Sequence, residues 1–443
     1  MAGCLRPWTA ATGYDGGVLV LLSLLLGCPN ETSGATYPAA ALYRLDGAAL
    51  LVGTTDAREG TQLYDGEPEE GHDWSLVIEG GDLWVGLPDL GEVWRWSAGE
   101  GEPETVARGM ASEAFGAALA VSEGTPVAGA PAASGGDEAD GAGAVALAGS
   151  AARRVVGSTA QMRLGEVVAA CGDLDGDERA EVAMAAPWAR QLAGGVYTVP
   201  RESGATVTGE LTPVGDPTAG DDFGAALSCS ADLLGDTAAD LVVGAPFAAG
   251  AGGVDGEGTV TVWDAAAMDA GSPAATLTAH AEGDAEAGKP DAFGSAVATC
   301  QFRSSGRPAL VVGAPLAEGG TGEVSVFFAA EAFASGATPQ VRIVGTAAEG
   351  RFGATVACAD RDGDALEELF VGAPGENAED GTAEAGALYV FGGLGTASGT
   401  FSTAQARFRL FADRAYLRTG SRFAVGDLDG DDLADLVLLV RQR

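Results

Sequence analysis

Residues 352–374, Phe352-Gly353-Ala354-Thr355-Val356-Ala357-Cys358-Ala359-Asp360-Arg361-Asp362-Gly363-Asp364-Ala365-Leu366-Glu367-Glu368-Leu369-Phe370-Val371-Gly372-Ala373-Pro374, decide how this chain folds. A Phe-Gly pair opens the stretch and a short apolar run follows. Carboxylates then alternate through a tight loop, and a second apolar run enters Gly-Ala-Pro. Short apolar runs bounded by turn residues read as strands. Glycine allows positive φ and close backbone approach, and proline suits a strand end that needs no ladder donor. The stretch therefore predicts two strands, A and B, joined by an acidic turn.

The same order recurs along the chain. The proline anchor appears in Val85-Gly86-Leu87-Pro88, Ala128-Gly129-Ala130-Pro131, Ala185-Ala186-Pro187, Gly244-Ala245-Pro246 and Gly313-Ala314-Pro315 as well as at Pro374. Successive prolines are 43, 56, 59, 69 and 59 residues apart. The Phe-Gly element, or an equivalent, stands at Phe115-Gly116, Leu164-Gly165, Phe223-Gly224, Phe293-Gly294 and Phe352-Gly353. Downstream of each anchor a Gly-rich turn leads to a strand C, as in Thr259-Val260-Thr261-Val262-Trp263, and a strand D follows, as in Val341-Arg342-Ile343-Val344. One such four-stranded sheet cannot bury both faces alone, so the units must stack around an axis.

The loops between A and B carry the candidate chemistry. Asp173, Asp175, Asp177 and Glu181 stand at positions 1, 3, 5 and 9 of a nine-residue loop. Asp360, Asp362, Asp364 and Glu368 repeat that spacing, as do Asp427, Asp429, Asp431 and Asp435. A fourth loop offers Asp232, Asp236 and Asp240 but has Leu234 where the second ligand belongs. Calcium takes six to eight hard oxygen ligands, and position 7 adds the backbone carbonyl of Arg179, Leu366 or Leu433. An EF-hand is excluded, because its bidentate acid at position 12 is replaced by Met184, Val371 and Leu438. Solvated Asp-Gly turns are the plain alternative; near-identical loops in register with a repeat argue for Ca2+ at three sites, with the Asp232 loop a fourth, incomplete one. The equivalents at Gln301 and Ser305, and at 122–125, lack ligands and are expected to be metal-free.

Phe-Gly, carboxylate loop and Gly-Ala-Pro in this order resemble FG-GAP repeats, as in integrin α-subunit propellers and bacterial surface proteins, over residues 37–443. The resemblance implies an all-β fold, a β-propeller, with the metal loops on one face and the B–C and D–A loops on the other, ligand-facing side. A unit beginning near Gly420 has only strands A and B, the latter Leu436-Val437-Leu438-Leu439-Val440. Ala41-Leu42-Tyr43-Arg44-Leu45 resembles a strand C, and Ala49-Leu50-Leu51-Val52-Gly53 a strand D. The expectation is a seven-bladed propeller of four-stranded blades, the last blade closed by both chain termini.

Ahead of the repeat, the nine-residue run 18–26, apolar but for Ser23, is too short to span a bilayer and fits the h-region of a secretory signal. Leu25-Leu26-Gly27-Cys28 resembles a bacterial lipobox, which implies lipidation of Cys28; an ordinary signal and a secreted product are the alternative. Residues 1–27 then read as signal peptide and 28–36 as tether. Cys171, Cys229, Cys300 and Cys358 each precede an A–B loop. Export permits bridges Cys171–Cys229 and Cys300–Cys358, but small buried thiols against inner strands are the preferred reading.

Net charge is −39, from 24 Lys plus Arg against 63 Asp plus Glu. That excludes nucleic acid, which demands a basic face, and leaves contact with a membrane only through a lipid anchor. His72 and His280 adjoin no motif, and the paired acids that could serve glycosidase chemistry are those claimed by calcium. The chain is thus expected to be a monomeric, non-enzymatic binding, adhesion or scaffold module at the bacterial cell envelope, with an unknown protein or glycan ligand. A calcium-dependent glycan binder and a hydrolase or lyase built on the propeller are the alternatives. Trp188 is one of few aromatics in the ligand-side loops, which argues against a tight apolar interface there.

Overall fold

The computed structural model describes Leu19–Leu22, Ala41–Leu45 and 74–439, except 98–102, 136–139, 148–152, 202–206, 209–216, 251, 280–289, 305, 329–332, 334–336, 379–380, 413–415, 417, 429 and 431. Cys28, His72, His280 and the strand expected at 49–53 lie outside these residues.

The fold is an all-β propeller with six blades. Blade 1 runs through Ser75–Glu79, Asp82–Leu87, Glu92–Ser97 and Glu104–Arg108 as a four-stranded antiparallel sheet. The innermost strands A of blades 2 to 6 are Leu119–Ser122, Val167–Ala170, Ala226–Ala231, Ala296–Cys300 and Thr355–Ala359. Strand B of each blade ends at the glycine anchor or its equivalent, and every described residue of the strands Asp240–Ala245, Ala309–Ala314 and Glu368–Ala373 is buried. Beyond blade 6, Phe423–Gly426 and Asp435–Leu439 form a further antiparallel pair. Its inner strand packs beside Thr355–Ala359 on one side and Ser75–Glu79 on the other.

The core is divided into wedges, each lying between successive sheets. One wedge joins Val243 and Leu241 of blade 4 to Ala183 and Val196 of blade 3, and another joins Val311 and Val326 of blade 5 to Leu369 and Tyr389 of blade 6. A third links Trp74 and Leu83 of blade 1 to Phe370 of blade 6 through Leu436, Val437 and Leu438.

The glycine anchors bring the blades together. The Gly353 N–H donates to the Gly372 carbonyl of its own blade at 3.0 Å, while the Gly353 carbonyl lies against Gly313 of the preceding blade. A Cβ on Gly313 would overlap that carbonyl. Gly129 meets the Gly165 carbonyl in the same manner.

Three expectations are corrected. The blades are not uniformly four-stranded. Val207–Thr208 pairs in parallel with the outer strand Arg154–Val156 of blade 2, so blade 3 keeps three strands and blade 2 has five. Gly399–Ser402 likewise adds a parallel fifth strand to Val341–Val344 of blade 5. Each added strand covers an outer edge whose N–H and C=O groups would otherwise be unpaired. Second, Ala41–Leu45 does not stand in the last sheet but pairs in parallel with Phe408–Ala412 of blade 6; the neighbour of Asp435–Leu439 is Leu19–Leu22. Third, the four cysteines are not free thiols. Cys171–Cys229 and Cys300–Cys358 are disulfides, with Cα separations of 5.1 and 5.7 Å. Adjacent inner strands bring their last turns into bridging range, and a repeat spacing of 58 residues sets the cysteines in register.

Two outcomes follow from this packing. Gly313→Ala should cost roughly 1–3 kcal/mol in urea unfolding through overpacking, and the same change at exposed Gly172, where a Cβ would make only an ordinary 3.5 Å contact with the Ala239 methyl, should cost less. Cys171→Ser with Cys229→Ser should lower stability by about 4 kcal/mol or somewhat less, the entropy of closing a loop of this length. Thiol titration of the unfolded, unreduced chain should find none of these four cysteines free.

Candidate functional site

The antiparallel order of each blade puts all A–B loops at one end of the propeller and all B–C and D–A loops at the other. At the first end the four acidic loops share one internal wiring. The position-1 carboxylate accepts the N–H of position 4, Asp173 from Gly176 at 2.6 Å, Asp360 from Gly363 at 2.8 Å, Asp427 from Gly430 at 2.7 Å, and Asp232 from Gly235. It also accepts the N–H of position 6, from Glu178, Thr237, Ala365 and Asp432 at 2.8–3.1 Å. Those four residues all have positive φ, between 63° and 80°. The position-9 carboxylate, on the first residue of strand B, takes the N–H of position 2, as Glu181 does from Leu174 at 2.7 Å and Asp435 from Leu428 at 3.0 Å.

This wiring aims the remaining oxygens inward. Carboxylate oxygens of Asp173, Asp175 and Glu181 lie within 4.8 Å of one another, as do those of Asp360, Asp362 and Glu368. Asp177 and Asp364 accept the N–H of Arg179 and Leu366 at 3.0 and 2.9 Å, which turns the position-7 peptide. Asp236 does the same for Ala238 at 3.0 Å. Asp429 and Asp431 lie outside the described residues, so in the last loop only Asp427, Leu433 and Asp435 are placed.

Burial makes these groups expensive to leave charged and alone. Glu181 is 3% exposed, and its Oε1 has no hydrogen-bond partner; Oδ1 of Asp240 has none either. Desolvation raises the Glu181 pKa, and the carboxylates of Asp175, Asp177 and Asp173 raise it further, against the Leu174 N–H, which lowers it. Desolvation likewise pushes Asp240 to about 6 and Glu368 to about 7. Clustered hard oxygens, one of them buried without a partner, are the donor set that calcium takes. Asp173, Asp175, Glu181 and the Arg179 carbonyl would hold the ion in the first loop.

The opposite end differs in character. All eight exposed large apolar side chains among the described residues, Trp188, Leu192 and Phe247 included, lie in B–C or D–A loops. The paucity of aromatics in sequence did not foretell this gathering on one face. Arg163 faces the Trp188 ring at 5.1 Å from its centroid and pairs with Glu166 at 2.8 Å. Glu166, Arg422 and the starts of the inner strands line an axial cavity of about 590 Å³. Asp222 is raised to about 6, by burial first and then by Glu166. The residue before each Phe-Gly element or its equivalent, Leu164-Gly165 and Thr419-Gly420 included, has positive φ without being glycine: Ala114, Arg163, Asp222, Ala292, Arg351 and Arg418, at 50–56°. No sequence signal marked that position.

No family model matches the chain. Part of it is 33% identical over 150 residues to a phosphatidylinositol-glycan-specific phospholipase D from Mus musculus. That match covers 33% of this chain and 18% of the length of the mouse protein. Among solved structures, a chain in the crystal structure of a mitotic checkpoint complex aligns with a TM-score of 0.45 and 12% identity, over 83% of this chain and 90% of that one.

The wiring separates two roles. Asp173→Ala removes an acceptor used by three loop amides and should lower stability by about 1–3 kcal/mol in chelator as well as in calcium. Asp175→Asn should lower stability only when calcium is present, and in chelator should leave it unchanged or slightly raised, because the repulsion on Glu181 is relieved. At the other end, the raised pKa of Asp222 gives stability that is complete at low pH and lost as pH rises through about 6. Asp222→Asn should abolish that loss, so the melting curves of variant and wild type should diverge between pH 4 and 7, the variant gaining.

Proposed function

We propose that the protein is an exported, calcium-binding FG-GAP-type propeller of seven blades that serves as a binding, adhesion or scaffold module at the cell envelope, anchored through lipidated Cys28. The carrying observation is the set of four identically wired carboxylate loops at one position of the repeat, with the buried Glu181 oxygen unpartnered. Calcium there neutralises clustered acids and pins each A–B turn, so its affinity appears as fold stability.

The seventh blade is the pair Phe423–Gly426 and Asp435–Leu439, which carries the same loop and lies between blades 6 and 1. Signal cleavage would strip Leu19–Leu22 from the edge of that pair; with Ala41–Leu45 held in blade 6, the contacts of Phe423–Gly426 with blades 6 and 1 close the ring. Binding occurs at the end that gathers the exposed apolar side chains. A glycan ligand is the second reading. Exposed Trp188, whose ring faces the Arg163 guanidinium that is itself paired with Glu166, favours it, and the mouse relative is named for a phosphatidylinositol-glycan.

Melting of residues 29–443 in calcium and in chelator, with bound calcium counted per chain, tests the proposal. A rise in Tm with three or four ions per chain is expected; an unchanged Tm and no bound ion would overturn it. Glycan pull-down against envelope-protein pull-down, each with Trp188→Ala, separates the two ligand classes.

A further inference from the structure

The acidic loops are alike in wiring but not in their surroundings. Arg407, just ahead of Phe408–Ala412, reaches across to the 360–368 loop. Its Nη1 lies 3.2 Å from Asp362 Oδ2 and 3.5 Å from Glu368 Oε1. A single nitrogen thus bridges positions 3 and 9, two of the three carboxylates that converge there. Its seat is provided by Gly392, where a Cβ would overlap the guanidinium. In the 173–181 loop the corresponding position-9 oxygen, Glu181 Oε1, has no hydrogen-bond partner. Among the described residues, the ion pair that Arg179 makes there is with Asp177, at 3.9 Å.

We propose that Arg407 is a resident cation that competes with calcium for the 360–368 loop, so that this loop takes calcium more weakly than the 173–181 loop and releases Arg407 on binding. The inference rests on the calcium reading above. A guanidinium stays charged at every physiological pH, so only another cation relieves it of these carboxylates. Calcium would meet the same oxygens with a higher charge and more ligands. Arg407 is 44% exposed, which limits its hold to that of a partly solvated ion pair. The competition therefore weakens calcium binding without abolishing it. The two loops then fill in sequence, the first as a constitutive brace and the second over a higher range of calcium concentration.

Calcium chloride titrated calorimetrically into the chelator-treated whole protein reads this directly. Arg407→Ala should tighten one class of site by about tenfold, or ~1.4 kcal/mol, and Asp362→Asn added to it should remove the tightened class. Gly392→Ala keeps the arginine but fills its seat, and should tighten the same class to a smaller extent. Isotherms that coincide for the wild type and both Arg407→Ala and Gly392→Ala would overturn the inference while leaving the calcium reading standing. So would weaker binding in Arg407→Ala of unchanged circular dichroism. A wild type that binds no calcium would remove both.

Discussion

The contact on which the ring depends is a glycine with no side chain meeting a carbonyl of the next blade. Gly353 donates its N–H to its own strand B and presses its carbonyl onto Gly313 of the neighbour. Because both ends of this contact are backbone, blade separation is set by main-chain radii and cannot drift with side-chain size. The apolar wedges follow from that spacing, with valine, leucine and phenylalanine filling what the glycines leave. Blade 3 shows how far the rule bends. Ala185 stands at the anchor, and a Cβ on Gly224 would be 2.8 Å from its methyl, so the close approach is kept with only one of the two residues reduced to glycine.

That spacing also fixes the two ends of the propeller. Each A–B loop starts and finishes on strands held by the same anchors, so four loops of different sequence converge on one hydrogen-bond pattern. The loop is nearly complete without a metal, since its aspartate at position 1 already organises the turn. What remains for a cation is the cluster of position 1, 3 and 9 oxygens, where desolvation first, and then the neighbouring carboxylates, raise the pKa of the position-9 acids Glu181, Asp240 and Glu368. The other end has no such internal pattern, and there side chains of poor solubility collect.

Much of this was legible in the sequence. Phe-Gly, acidic loop and Gly-Ala-Pro are local signals of strand, turn and anchor, and Asp173 or Asp360 could be identified from spacing alone. The parts that were not legible depend on contacts between segments. Disulfide pairing follows from neighbouring inner strands ending at equal height, whereas a buried cysteine has the same local sequence whether bridged or free. The left-handed residues ahead of the Phe-Gly element or its equivalent are mostly alanine and arginine, which carry no preference that would reveal them; only Asp222 is of a type that visits this region readily. Outer strands such as Val207–Thr208 are short and pair in parallel with another blade, so no local periodicity reveals which sheet they join. Arg407 touches the loop through a separation of 39 residues or more, beyond any motif.

The two disulfides bear on how the ring responds to force. They tie blade 3 to blade 4 and blade 5 to blade 6 at the end that carries the acidic loops. A load that pries blades apart therefore cannot distribute itself evenly. The covalently tied seams hold, and rupture is directed to the untied ones, including the junction where Phe423–Gly426 meets Ser75–Glu79. A propeller opened there would be a hinged strip in which blades 3 and 4, and blades 5 and 6, move as stapled pairs that keep their mutual register, while blades 1 and 2 move singly.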